Sequence, residues 1–275
     1  MPEITARGVR FHVQTMDPDV PPVASPPVMV FVHGLVMDNL SSFYYTIAGP
    51  MAAAGARCVL YDQRGHGRTE RPPTGYGPAD AVADLFAILD ELGHRAPVFL
   101  VAHSWGGVVA LNAALADPSR IAGLVLIEGC GPSEHPGQWT EKLLNSLGRI
   151  SLVLEHDRPA ERRLAFGWRR DSKAAANGDA LVNGTTLLDD VAVAAPVRIA
   201  DLSTIACPLL AIYGQHSDVV DAGLLLRSVP GCTLHIMAGH AHTILREGTA
   251  ELLEVLLPWM ARHAGTSAPV VEGAR

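Results

Sequence analysis

The chain has 275 residues, 48% of them hydrophobic and 18% charged, with a formal net charge of −7. That length fits one large α/β domain with an insertion, and that composition excludes intrinsic disorder. The acidic balance argues against a nucleic-acid partner, which selects for a basic face. No stretch approaches the roughly 18 consecutive apolar residues that a membrane span needs. The first ten residues, MPEITARGVR, have no apolar run of the kind a signal peptide carries. The four cysteines, Cys58, Cys130, Cys207 and Cys232, form no C-x-x-C pair. A reduced, cytoplasmic chain is therefore expected, with no membrane association.

In chain order, six short apolar runs read as buried parallel strands: Val28–His33, Arg57–Asp62, Pro97–His103, Ile121–Ile127, Pro208–Tyr213 and Cys232–Met237. Each is apolar on both faces, as strands covered on two sides must be. Helical periodicity falls between them, at Ala79–Leu92, Trp105–Leu115, Ala222–Val229 and Thr249–His263. Strand–helix alternation predicts a doubly wound, mostly parallel sheet with helices on both faces. The rhythm stops between Gly131 and Ala206, where only helical patches occur: Trp139–Leu154, Glu161–Arg170 and Ala180–Asp190. This predicts a core built from residues 1–130 and 207–275, with a helical cap over 131–206 inserted between late strands. The tail from Gly265 to Arg275 reads as loose.

The sharpest motif is Val101-Ala102-His103-Ser104-Trp105-Gly106-Gly107, between a buried strand and a helix. A serine there sits on a tight turn that exposes its hydroxyl. Small residues, Ala102 and Gly106, are needed two positions to either side because strand and helix approach closely. A serine nucleophile needs a base, and the base needs an orienting carboxylate. Asp218 follows the fifth apolar run, and His240 and His242 follow the sixth, so all would open onto the crevice that holds Ser104. Between the histidines, His242 is the preferred base, because it stands five residues before Glu247 at the start of the last helix, and His240 becomes a loop or pocket residue. For the acid, Asp218 is the first choice and Glu128, at the end of the fourth run, is its rival. The backbone N–H groups of Leu35, in the His33-Gly34-Leu35 turn, and of Trp105 would hold an oxyanion. His33 is expected to order its loop, and the Gly-rich turn Asp62-Gln63-Arg64-Gly65-His66-Gly67 is expected to be structural.

These motifs together resemble the α/β-hydrolase-fold superfamily, in its capped, serine-esterase and haloperoxidase-like form. The resemblance runs over nearly the whole chain: the HG turn at His33-Gly34, the D-x-R-G-x-G turn at Asp62–Gly67, the nucleophile elbow at Ser104, the acid at Asp218 and the terminal histidine. The elbow departs from the family pattern in one place, with Ala102 where glycine is usual. The resemblance implies a serine hydrolase that cleaves an ester, lactone or thioester of a small, largely apolar substrate through an acyl-enzyme, with no metal or organic cofactor. C–C bond hydrolysis and biosynthetic cyclisation or thioester release are alternatives with the same triad. A catalytically silent receptor or scaffold of the same fold is the alternative of a different class. A basic cluster in the cap, Arg158, Arg162, Arg163, Arg169, Arg170 and Lys173, is either a solvated helix face or a surface that attracts an anionic substrate or an acyl carrier. Trp139, Phe166 and Trp168 either line an apolar pocket or fill the cap's own core.

Overall fold

A computed structural model describes residues 3–18, 26–155, 171–217 and 222–264. Its strands are β1 (Glu3–Ala6), β2 (Val9–Met16), β3 (Val28–Val32), β4 (Arg57–Tyr61), β5 (Val98–His103), β6 (Ile121–Ile127), β7 (Leu209–Gly214) and β8 (Cys232–Met237). They form one eight-stranded sheet in the order β1-β2-β4-β3-β5-β6-β7-β8. β1 and β2 run antiparallel, and every pairing from β4 to β8 is parallel. The helices are α1 (Ser41–Tyr44), α2 (Ala48–Ala53), α3 (Pro78–Glu91), α4 (Gly106–Ala116), α5 (Pro136–Glu155), α6 (Asp171–Gly184), α7 (Leu187–Ala192), α8 (Ile199–Leu202), α9 (Ala222–Ser228), α10 (Ile244–Glu247) and α11 (Thr249–Ala264).

All six apolar runs are strands, and side chains within each run alternate between two cores. Val30, Val32, Leu100, Ala102, Leu124 and Leu126 pack in the core that holds α3 and α4. Met29, Phe31, Phe99, Val101, Val125 and Ile127 pack in the other, with α2, α10 and α11. A continuous apolar run thus serves both faces of a covered sheet through the two-residue period of the strand. The hairpin of β1 and β2 is additional to the expected strands. Its signal is the alternation Val9, Phe11, Val13, all buried, after the Arg7-Gly8 turn, where both residues have positive φ (50° and 74°). Arg7 then ties the hairpin to α3 through Asp84 at 2.7 Å and Asp80 at 3.1 Å.

α5 to α8 follow β6 and precede β7, as a helical cap inserted between late strands. The patch read as Ala180–Asp190 is two helices, broken at Thr185-Thr186, where the Thr185 hydroxyl accepts the Leu187 N–H at 3.2 Å. The cap rests on the loop between β4 and α3. Thr186 N–H donates to the Pro73 carbonyl at 2.9 Å, and Tyr76 N–H donates to Asp190 at 2.9 Å. Trp139, Leu147, Leu181, Val182, Leu187 and Val191 are buried against that same core face. Phe166, Trp168 and the arginines from Arg158 to Arg170 lie outside the described residues, and for Lys173 only its place in α6 is described.

Candidate active site

Ser104 closes β5 and opens α4 with φ = 54°, a left-handed conformation that a side-chain-bearing residue adopts only under constraint. The constraint is visible on both sides. Ser104 N–H donates to the Ile127 carbonyl at 3.2 Å, and the Ser104 carbonyl accepts the Cys130 N–H at 2.7 Å. α4 starts so close to the sheet that a Cβ on Gly106 would strike the Val32 carbonyl, and one on Gly107 would lie 2.7 Å from the Cys130 carbonyl. Glycines at these two positions let the helix N-terminus press against the turn, which lifts the Ser104 hydroxyl above it.

His242 is in the loop between β8 and α10. Its Nε2 lies 3.2 Å from Ser104 Oγ, and its Nδ1 lies 3.1 Å from Glu128 Oε2. Glu128 sits one residue beyond β6 with φ = 51° and is fully buried. Two further donors hold its carboxylate: Gly214 N–H at 2.5 Å from Oε1 and the Ser217 hydroxyl at 2.5 Å from Oε2. The Tyr213 hydroxyl donates to the Gly129 carbonyl at 2.8 Å and braces the same turn. A carboxylate with three donors is compensated for its burial and accepts from His242 Nδ1–H, which leaves the Nε2 lone pair facing Ser104. The His242 side chain is 41% exposed while that of Glu128 is 0%, so the imidazole is open to a substrate and its carboxylate partner is shielded.

Asp218, the first choice for the acid, lies outside the described residues; its rival Glu128 is the carboxylate that the geometry brings to His242. His240 is turned away from Ser104. Its Nε2 lies 3.3 Å from Glu251 of α11, and its carbonyl accepts the His216 N–H at 2.9 Å. Gly214 packs directly on that carbonyl, leaving no room for a Cβ.

The loop after β3 passes beside Ser104: a Cβ on Gly34 would lie 3.3 Å from the Ser104 Cβ. The N–H groups on either side of Leu35 are engaged, Gly34 with Asp38 at 2.8 Å and Val36 with His66 Nε2 at 2.9 Å. Among the described residues, no hydrogen-bond acceptor is found for the backbone N–H groups of Leu35 and Trp105. His33 is fully buried and accepts the Gln63 N–H at Nε2, 2.9 Å away, while its Nδ1 lies 2.7 Å from the Gly34 carbonyl, so it orders this loop. The Gly-rich turn is a scaffold as well. Asp62 accepts the Leu40 and Arg68 N–H groups, each at 2.9 Å, and lies 2.8 Å from His12 Nδ1. Burial would raise the Asp62 carboxyl, but these contacts, with His33 nearby, hold it below its usual range. Gly67, with φ = 53°, leaves space for that carboxylate, which any Cβ would strike.

Sequence reasoning assigned no role to Asp38 or His103, which sit 3.1 Å apart beside the elbow. A usable signal was present, since His103 is the residue directly before the nucleophile candidate. Among the described residues, no three His, Cys, Asp or Glu side chains converge as a metal site requires, and no helix is long and apolar enough to cross a membrane.

The sequence model of the alpha/beta hydrolase fold matches residues 27–150, which contain the HG turn, the elbow and Glu128. The superposable structures extend the likeness to nearly the full length. An enol-lactonase from Burkholderia xenovorans aligns with a TM-score of 0.69 at 19% identity, covering 94% of this chain and 100% of the other. An esterase from Exiguobacterium antarcticum aligns with a TM-score of 0.71 at 18% identity, covering 94% and 98%. The chain has the α/β-hydrolase fold. Among curated relatives, epoxide hydrolase B of Mycobacterium tuberculosis is 36% identical over 124 residues, which is 44% of this chain and 33% of that protein. The matched stretch is thus about a third of that relative's length.

Proposed function

We propose that this α/β-hydrolase-fold chain is a serine hydrolase that cleaves a carboxylic ester, lactone or thioester of a small, largely apolar substrate. The observation that carries the proposal is the continuous chain from Ser104 Oγ through His242 to Glu128, with contacts of 3.2 and 3.1 Å, on a serine held at positive φ. In this reading Ser104 Oγ attacks the acyl carbonyl while His242 Nε2 takes its proton. Glu128 holds the imidazole tautomer and stabilises the imidazolium. The N–H groups of Leu35 and Trp105 receive the oxyanion. His242 then gives the proton to the departing alcohol or thiol. Water, deprotonated by His242, attacks the acyl-enzyme and releases the acid and Ser104.

The nucleophile's chemistry separates this reading from the epoxide opening named for the M. tuberculosis relative. A seryl oxygen that opened an epoxide would form an ether, which water does not cleave under these conditions, so no turnover would follow. The same oxygen on an acyl carbon forms an ester, which the site can hydrolyse. The lactone- and ester-cleaving names of the two structural neighbours agree with acyl chemistry but rest on a likeness of fold.

The test is labelling with a fluorophosphonate, followed by peptide mapping, alongside a panel of short-chain esters, lactones, thioesters and epoxides. Ser104 is expected to carry the label, and Ser104→Ala to lose on the order of a million-fold in turnover while remaining folded. Turnover by Ser104→Ala within tenfold of the parent would overturn the serine mechanism.

A further inference from the structure

A second carboxylate–histidine pair lies beside the first. Asp38, in the loop that carries Leu35, accepts from Gly34 N–H at 2.8 Å and contacts His103 Nδ1 at 3.1 Å, both through Oδ2. Its other oxygen accepts the Asn39 N–H at 2.9 Å and the Ser42 hydroxyl. Burial alone would raise the Asp38 carboxyl, but the His103 contact, with help from His33 and Ser42, holds it far below the usual carboxylate range. The His103 ring also stacks on the ring of His242, with centroids 5.4 Å apart and planes 28° from parallel. Among the described residues His103 Nε2 has no hydrogen-bond partner, so Asp38 is the polar contact that sets the rotation of this ring.

We propose that Asp38 and His103 are a positioning pair, in which one carboxylate fixes the oxyanion loop through Gly34 and the face of His242 through the stacked His103. The inference rests on the serine reading above and deepens it. Gly34 N–H and His103 share one oxygen atom of Asp38. Moving that atom therefore displaces the Leu35 N–H and the His242 ring together. These two groups must act in the same transition state, one receiving the oxyanion and one holding the proton, so a common anchor keeps their separation fixed. Neither Asp38 nor His103 needs to touch substrate.

The experiment compares Asp38→Asn, His103→Leu, His103→Gln and the double variant Asp38→Asn/His103→Leu, each checked for folding by circular dichroism. Two quantities are read: kcat and KM on one ester, and the rate of fluorophosphonate labelling at Ser104. Losing one aligned oxyanion donor costs about a hundredfold or more in kcat. Asp38→Asn and His103→Leu are each expected to fall by about that factor, with KM within about threefold of the parent. His103→Gln keeps an N–H for Asp38 and should recover part of the loss, about tenfold. Because both residues act through one contact, the double variant should be no slower than the slower single variant. His103→Leu within about threefold of the parent in kcat, a loss confined to KM, or losses that multiply in the double variant would overturn the pairing. If His103→Leu does not fold, His103→Gln together with Asp38→Asn decides the matter by the same criteria. Absence of label on Ser104 in the parent protein refutes the serine reading itself. Normal labelling of the parent with unchanged labelling of His103→Leu refutes the positioning pair alone.

Discussion

The crevice at the ends of β5, β6 and β7 and the cap that follows β6 are built on different principles. In the crevice, backbone meets backbone: Ser104 is bonded to the last residue of β6 and to the turn after it, Gly106 and Gly107 touch carbonyls, and Glu128 is gripped by three donors. The cap meets the core mainly through apolar side chains, with Thr186 to Pro73 and Tyr76 to Asp190 as its hydrogen-bonded ties to the loop after β4. Directional bonds over-determine the crevice, so small chemical changes there should abolish function without altering the fold. Apolar packing is tolerant, so changes in the cap should trade one substrate for another.

The largest effect that tests this contrast, after loss of the nucleophile, is at the acid. Glu128→Gln keeps the shape but presents an amide to His242 Nδ1, favouring the wrong tautomer. A loss of about ten-thousand-fold in kcat/KM is expected. Asp218→Asn should cost far less. The reverse ranking in kcat/KM on one ester, with folding checked, would reassign the acid to Asp218 and leave Glu128 a structural carboxylate.

A smaller effect belongs to the cap. Trp139 is buried there, and Trp139→Ala should cost about 3 kcal/mol of stability by opening a cavity. It should also change the ratio of rates between a short and a long acyl ester by about tenfold, which initial-rate comparison of the two substrates detects. A uniform loss on every ester, as severe as that of Ser104→Ala, would mean that the cap supplies a reacting group.

The smallest effect is set by pH. Burial, reinforced by nearby His33, pushes the His66 imidazole down to about 3 from 6.5. In the folded state His66 is neutral and accepts the Val36 N–H. The folded form therefore binds fewer protons than the unfolded one. Stability from this group is complete above about pH 6.5 and is lost as pH falls from there toward 3. Between pH 7.5 and 5 this amounts to about 2 kcal/mol, or roughly 4–8 °C in Tm for a chain of this size. His94 and His263, also lowered by burial, contribute with the same sign, whereas Asp38 and Asp62 are held below the ordinary carboxylate range and act only at lower pH. Melting curves for the parent and His66→Gln separate these contributions: the variant should show the shallower dependence. An identical slope in the two proteins would remove His66 as its source.

Much of this was legible in the residues. Buried parallel strands announce themselves as two-faced apolar runs, and the elbow announces itself by Ala102, Ser104 and Gly106 at a strand–helix junction. The proposed acid was not legible to the same degree. Glu128 and Asp218 both follow strands that end at the crevice, and what brings Glu128 to His242 is one left-handed residue and a hydrogen bond from Gly214, neither of which leaves a periodic trace. The Asp38–His103 contact joins residues 65 positions apart, and stacking of His103 on His242 joins the end of β5 to the loop after β8, so single-chain patterns carry no record of either. The β1–β2 hairpin did have a signal, the alternation from Val9 to Val13, which its short length and polar His12 and Gln14 obscured.

The positive φ at Ser104 and Glu128 has an evolutionary consequence. A side chain in that region costs on the order of 1 kcal/mol relative to glycine. Ser104→Gly should therefore melt a few degrees higher than the parent, with no activity, and a calorimetric scan would register the gain. A lineage selected for heat resistance alone would be drawn toward glycine at the proposed nucleophile's position. Continued demand for turnover is what would keep serine at 104 against that drift.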